Sequence, residues 1–159
     1  MYGSKAGGFG RRFRKDRAVD ISAEVAEFIA GHRVARLATA DGEGAPHVVP
    51  ICYAFDGKCI YSALDLKQKR VEDRALKRVR NIAQNSQVSL VIDDYSEDWN
   101  ELAYVLIQGR ADLVDDADEQ QMAEALLRAK YPQYETLLES GCTVIRIEPN
   151  KVVSWGKIN

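Results

Sequence analysis

Two Asp-Gly pairs constrain this chain more than any other feature. Asp41-Gly42-Glu43-Gly44 and Asp56-Gly57 punctuate three β-prone runs, Val34 to Ala40, Pro46 to Phe55 and Lys58 to Ala63. Glycine accepts positive φ without steric cost, so Asp-Gly between such runs closes tight antiparallel hairpins. The spacing predicts a three-stranded meander. Val88 to Ile92 and Ala103 to Val114 add two strands, with the acidic stretch Asp93 to Glu101 between them. Thr143 to Ile147, the pair Pro149-Asn150, and Val152 to Trp155 close the chain as a sixth strand or as a last hairpin.

Helical periodicity appears three times. Ile21 to Gly31 spaces Val25, Phe28 and Ile29 at helical intervals, with Ser22 as a start signal and Gly31 as a stop. Leu66 to Gln84 and Ala117 to Glu139 follow, the second divided by Pro132 into a longer and a shorter helix. Many strands joined by glycine turns with few helices inserted indicate a small antiparallel barrel, not alternating βαβ units. Neither a G-x-G-x-x-G nor a Walker sequence is present, which argues against a Rossmann or P-loop mechanism.

At 159 residues with 46% hydrophobic residues and no apolar run near membrane-spanning length, the chain reads as one globular domain. Three cysteines, Cys52, Cys59 and Cys142, follow no zinc or C-x-x-C spacing and read as reduced, mostly buried thiols. The N-terminal residues carry charge but no apolar signal core, so a cytoplasmic location is expected. The expected organisation is a flexible basic arm over residues 1–20 and a single domain over residues 21–159. A balance of 22 basic against 24 acidic residues argues against a general nucleic-acid binder. An RNA-binding role confined to the Arg11 to Arg17 arm stays open as an alternative.

The cations that matter are segregated. Lys67, Lys69, Arg70, Arg74, Lys77, Arg78 and Arg80 face only Glu72 and Asp73, while the run from Asp112 to Glu124 holds no base. On a helix, Arg70, Arg74, Lys77 and Asn81 share one narrow face with Arg78 at its border, and Val71, Ala75, Val79 and Ile82 take the other. Asp65 three residues before Gln68 resembles a capping box that starts this helix directly after a strand. A strand feeding a basic first turn offers a phosphate amide donors, a positive dipole end and guanidinium forks. The same spacing also suits a solvated basic face neutralised by Glu72 and Asp73.

Several segments in order carry a resemblance. Arg36-Leu-Ala-Thr-Ala-Asp-Gly, Pro46-His-Val-Val-Pro-Ile, Asp56-Gly-Lys-Cys-Ile-Tyr-Ser62 and Lys77-Arg78-Val-Arg-Asn81-Ile-Ala-Gln-Asn85-Ser-Gln-Val-Ser-Leu90 resemble the pyridoxamine 5′-phosphate oxidase-like flavin-binding split barrels. With Asp94-Tyr-Ser-Glu-Asp-Trp99 ahead of Gly109-Arg110, the chain is most similar to the branch that uses the deazaflavin coenzyme F-420. The resemblance implies a mainly β fold with α: a six-stranded antiparallel split β-barrel (Greek key) with flanking helices. It also implies a homodimer with F-420 or FMN bound at the subunit interface. The family's phosphate-binding basic pair corresponds to Lys77-Arg78. Leu76 stands where relatives carry a small hydroxyl residue, and Lys69 and Arg70 can compensate. The ring system in relatives lies against the strand matched by Val48, Val49, Pro50 and Ile51, Ser62 ends the third strand near the phosphate, and Asn81 lies beside the basic pair. Trp155 matches a C-terminal aromatic that stacks on the ring from the partner subunit, although core or interface packing suits it equally.

Independently of the resemblance, Pro50 lacks a ladder N–H and marks an edge or a bulge. Two histidines exclude a multi-histidine metal site, and His47 on an apolar strand reads as structural. Trp99 in the acidic stretch is a candidate for the rim of a substrate mouth. No residue set for acid-base or nucleophilic catalysis assembles from the sequence, so no catalytic or metal residue is assigned and the chemistry falls to the coenzyme. The expectation is an oxidoreductase moving hydride to or from a small organic substrate. A non-catalytic carrier or sensor on the same barrel is the alternative.

Overall fold

A computed structural model describes residues 19–64 and 76–158. Helix α1 (Ala23–Gly31) is capped by Ser22, whose Oγ accepts from Val25 N at 3.4 Å, and it buries Val25, Phe28 and Ile29. The first hairpin joins β1 (Val34–Ala40) to β2 (Pro46–Cys52) in the register Val34↔Cys52 to Ala40↔Pro46. Asp41 Oδ1 closes its turn by accepting from Glu43 N and Ala45 N, and the positive φ falls on Gly44. Strands β3 (Ala54–Phe55) and β4 (Ile60–Ala63) form the second hairpin, with positive φ at Gly57. Then follow α2 (Lys77–Gln84), β5 (Gln87–Asp94), a 3-10 helix at Trp99–Glu101, β6 (Ala103–Leu113), α3 (Ala117–Lys130), α4 (Tyr134–Leu137) and β7 (Val144–Gly156). The break between α3 and α4 falls at Pro132, as its missing N–H requires. The proposed capping box and the first turns of the basic helix lie outside the described residues.

The strands form one curled antiparallel sheet in the order β2-β1-β5-β6-β7-β4-β3. Seven strands stand where six are expected, because the run Pro46 to Phe55 is cut at Tyr53. Its two parts form the opposite edges of the sheet, so the curl brings those edges together and the chain steps across the seam. Side chains close that seam where no ladder does. Ser62 Oγ donates to Cys52 O at 2.8 Å, and Tyr131 Oη accepts from Tyr53 N at 3.0 Å. The Tyr53 hydroxyl donates to Ile29 O at 2.6 Å, fixing α1 to the same point.

The closing segment takes the single-strand form, not the hairpin. Strand β7 pairs with β6 from Leu113↔Ile145 to Ala103↔Gly156, and the register shifts between Gln108↔Lys151 and Gly109↔Pro149. Asn150 is the extra residue of a β-bulge, a place that tolerates the missing donor of Pro149. Inside the curl, alternate residues of the strands, among them Leu37, Ile51, Leu90, Ile92, Val105, Ile107, Ile145 and Ile147, make the main core with α1 and α2. A second cluster seats α3 and α4 on β3 and β4 through Tyr61, Leu127, Tyr131, Tyr134 and Val144. The three cysteines form no disulfide, and no described helix is long and apolar enough to cross a membrane.

Lys130, at the end of α3, is anomalous. Its Nζ lies 4.1 Å from the Tyr53 ring centroid, buried with no hydrogen-bond acceptor among the described residues. Burial, followed by the nearby Arg33 charge, pushes the ammonium down to about 8. Between that value and the ordinary lysine range the folded chain binds fewer protons than the unfolded chain, so this residue makes stability rise as pH rises through the window. Lys130→Met is therefore expected to stabilise the fold at pH 7 by on the order of 1 kcal/mol after discounting for solvent screening, and to flatten the rise. Urea unfolding at pH 7 and pH 10 checks both; a destabilised variant at pH 7 contradicts the reading.

Candidate functional site

Strand alternation divides the candidate residues of β2 between two environments. Val49 and Ile51 turn into the curl, where Ile51 is buried and Val49 half-buried, while Val48 and Pro50 point outward, Val48 with 59% of its surface exposed. Strand β2 is an edge strand, which accounts for two prolines in it, since an edge has no ladder on one side. The register carries this outer face across the sheet: Pro50, Arg36, Val91, Leu106 and Val153 lie in one row, and Val48, Ala38, Ser89, Gln108 and Lys151 in the next. One step beyond the first row, Tyr104 pairs with Trp155, ring centroids 5.7 Å apart and planes 22° from parallel. The face is mostly apolar and half-exposed, a common mark of an interaction surface.

Along the sheet, β1, β5 and β6 lie between β2 and β7, so three strands separate Trp155 from Val48 and Pro50 of its own chain.

Helix α2 supplies the cations. It packs Val79 and Ile82 into the main core and runs beside the tip of the first hairpin. Gln84 Oε1 accepts from Gly42 N at 2.9 Å, and Lys77 Nζ reaches Asp41 Oδ2 at 3.0 Å. The Ala45 amide, then Lys77, hold the Asp41 carboxyl below its ordinary value. Lys77 and Arg78 are half-buried and Arg80 is exposed. Asn81 does not join the exposed cations. It is 1% exposed, and its amide nitrogen donates to Thr39 Oγ1 at 3.0 Å beneath the helix. The expectation that Asn81 faces outward with Lys77 is corrected accordingly. The two positions are about 40° apart on the helix, so the short amide tucks under while the long lysine stem clears the rim. Lys69 and Arg70 lie outside the described residues. Ser62 is buried with its hydroxyl engaged across the seam, so it holds β4 to β2.

The structure thus gathers Lys77 and Arg78 near the hairpin end of β2 and places Val48 and Pro50 on its outer face, with Trp155 far across the same face. Asp41 and Tyr104, the neighbours of Lys77 and Trp155, are not identified by sequence patterning, because each contact depends on strand register. His32 has both ring nitrogens engaged, Nδ1 at 2.7 Å from Phe28 O and Nε2 at 2.9 Å from Asp94. No group of three or more metal-ligating side chains forms among the described residues.

The sequence and the fold resemble those of known proteins. The chain is 28% identical over 125 residues to the 5a,11a-dehydrotetracycline/5a,11a-dehydrooxytetracycline reductase of Streptomyces rimosus, covering 76% of this chain and 72% of that protein. The fold matches HutZ, the heme storage protein of Vibrio cholerae, with a TM-score of 0.67 and 17% identity over 84% of this chain and 92% of that one. It also matches an FAD-binding protein of Mesorhizobium loti, with a TM-score of 0.64 and 22% identity over the same shares, 84% and 92%. The family model described as pyridoxamine 5′-phosphate oxidase matches residues 21–156, nearly the whole curled sheet with its helices, and the chain belongs to that family.

Proposed function

We propose that this chain is a homodimeric oxidoreductase that binds a flavin-type coenzyme, the deazaflavin F-420 or FMN, between two copies, and moves hydride between it and a small conjugated organic substrate. The observation that carries the reading is the division of the candidate site across one sheet face. Val48 and Pro50 are exposed on the outer face of β2, whose hairpin tip Lys77 reaches through Asp41, and three strands separate Trp155 of the same chain from them. A two-fold pairing of the outer face contributes the same surface from both copies, and in this reading the other copy's Trp155 covers each β2 wall. Family membership, the reductase relative and the FAD-binding fold neighbour support a flavin-type group.

The residues suit such a group. Lys77 and Arg78 offer charge-assisted hydrogen bonds to a phosphate, with Lys69 and Arg70 nearby in sequence. Val48 and Pro50 orient a planar ring by contact, and the apolar side chains of that face, Val91, Leu106 and Val153 among them, exclude water once a second copy covers them. When bound, the coenzyme supplies the hydride chemistry, and the chain binds, orients and shields it.

Purified protein is expected to run as a dimer and to take up a coenzyme with near-visible absorbance, which denaturation releases with the mass of F-420 or FMN. A colourless monomer that binds no tricyclic coenzyme overturns the reading, and a Soret band in its place reassigns the face to heme. Steady-state oxidation of the reduced coenzyme by an unsaturated acceptor separates an enzyme from a carrier or sensor.

A further inference from the structure

Two further exposed aromatic residues lie on the loop at the strand ends that carry Tyr104 and Trp155. The β5–β6 connection runs through residues 95–102, and within it Tyr95 is 71% and Trp99 74% exposed. Asp93 pairs with Tyr104 and Asp94 with Ala103, so the loop rises directly from the strand ends that carry the stacked pair. The loop is a built structure. Asp98 caps the 3-10 helix through Asn100 N at 3.0 Å, and Lys157 Nζ grips both oxygens of Glu101 at 2.7 Å. Arg36 and His32 tie down Asp93 and Asp94. Its rings are held in water by a fixed backbone, which forfeits the burial that aromatic side chains normally gain unless a ligand covers them.

The charge of the loop narrows the ligand. Of five carboxylates between Asp93 and Glu101, two pair with the cations Arg36 and Lys157 and Asp94 contacts the His32 ring, while Glu97 and Asp98 meet no cation among the described residues. Tyr95 Oη donates to Glu97 at 3.2 Å, placing a carboxylate at the edge of an exposed ring. A planar cation or neutral polycycle can stack on such rings, whereas an anion meets repulsion.

We infer that this loop is the lip of the substrate site, with Tyr95 and Trp99 as a stacking platform for a planar, conjugated polycycle bearing no net negative charge. The inference rests on the oxidoreductase reading and adds the substrate class to it. The reductase relative, named for a dehydrotetracycline, fits that class.

Calorimetric titration of the coenzyme-loaded protein with the tricyclic cation proflavine and the tricyclic anion anthraquinone-2-sulfonate tests it. Proflavine is expected to bind at least tenfold more tightly than the sulfonate. Tyr95→Ala with Trp99→Ala is expected to weaken proflavine about tenfold, Tyr95→Phe with Trp99→Phe to restore it, and neither pair to alter coenzyme affinity. Both positions are largely exposed, so the variants keep the core intact. Equal proflavine affinity in the alanine pair, or a sulfonate that binds as well, overturns the lip. Dissociation of the dimer in that pair also overturns it, since a second copy would then be what covers the rings. A wild-type chain that takes up no coenzyme defeats the oxidoreductase reading itself, whereas a loaded chain indifferent to both probes defeats the lip alone.

Discussion

Alanine at both Lys77 and Arg78 is expected to weaken the binding of a phosphate-bearing coenzyme by about 100-fold. A charge-assisted hydrogen bond contributes about 1.5 kcal/mol or more, so losing two amounts to about 3 kcal/mol, or two decades in the dissociation constant. The Lys77 half of the change should cost the fold little. The Lys77–Asp41 pair is partly exposed, with Lys77 41% accessible, and a pair of that kind contributes at most about 1 kcal/mol. Two comparisons isolate the phosphate. Arg80→Ala, on the exposed side of the same helix, should change affinity less than about threefold, because a solvated charge at that remove is largely screened. Riboflavin, which lacks the phosphate, should bind the double variant and the wild type alike. Fluorescence titration with FMN and riboflavin measures all of these. Equal FMN affinity in the double variant and the wild type would move the phosphate away from α2.

How much of this was readable beforehand depends on the range of the interaction. The Asp-Gly turns, the alternation along β1 and β2, the Ser22 cap and the break at Pro132 are local, and they appear where the sequence places them. The cut at Tyr53 is not local. Pro46 to Phe55 is β-prone throughout, and at the cut the Tyr53 amide donates to the hydroxyl of Tyr131, which is distant in sequence, while Ser62 bonds across the seam. Pro149-Asn150 reads as a turn because a proline beside an asparagine usually makes one, yet β6 is long enough to pair on both sides and absorbs the extra residue as a bulge. On α2 the helical period groups Asn81 with Lys77. The Thr39 hydroxyl beneath the helix gives the short amide a buried partner that no one-dimensional pattern reveals. The site divides the same way. Its cations and the β2 wall were legible, whereas the separation of Trp155 from that wall follows only from strand order.

Gly109→Ala is expected to cost the fold about 3 kcal/mol, a fall of roughly 6–12 °C in Tm for a chain of this size. A Cβ built at Gly109 would lie 2.3 Å from Glu148 O, 3.0 Å from Glu148 C and 3.2 Å from Pro149 Cα, all of them backbone atoms that cannot swing aside. The closeness comes from the bulge, which drives β7 toward β6 at the pair Gly109↔Pro149. Accommodating one methyl group therefore means prising the two longest strands apart, with Ile107 on one and Ile147 on the other anchored in the main core. Gly44→Ala is the informative control. Its Cβ would meet open space, but its φ is +89°, so it carries only the backbone penalty of about 1–2 kcal/mol. Thermal unfolding of both variants separates steric from conformational cost. Matching Tm values for the two would mean that the bulge yields and that the close approach is not what selects glycine. If the strands do separate, the far half of the outer face moves with β7, carrying Val153 and Trp155 out of line with β2. Coenzyme affinity should then fall in Gly109→Ala and stay unchanged in Gly44→Ala, although neither glycine has a side chain to offer a ligand.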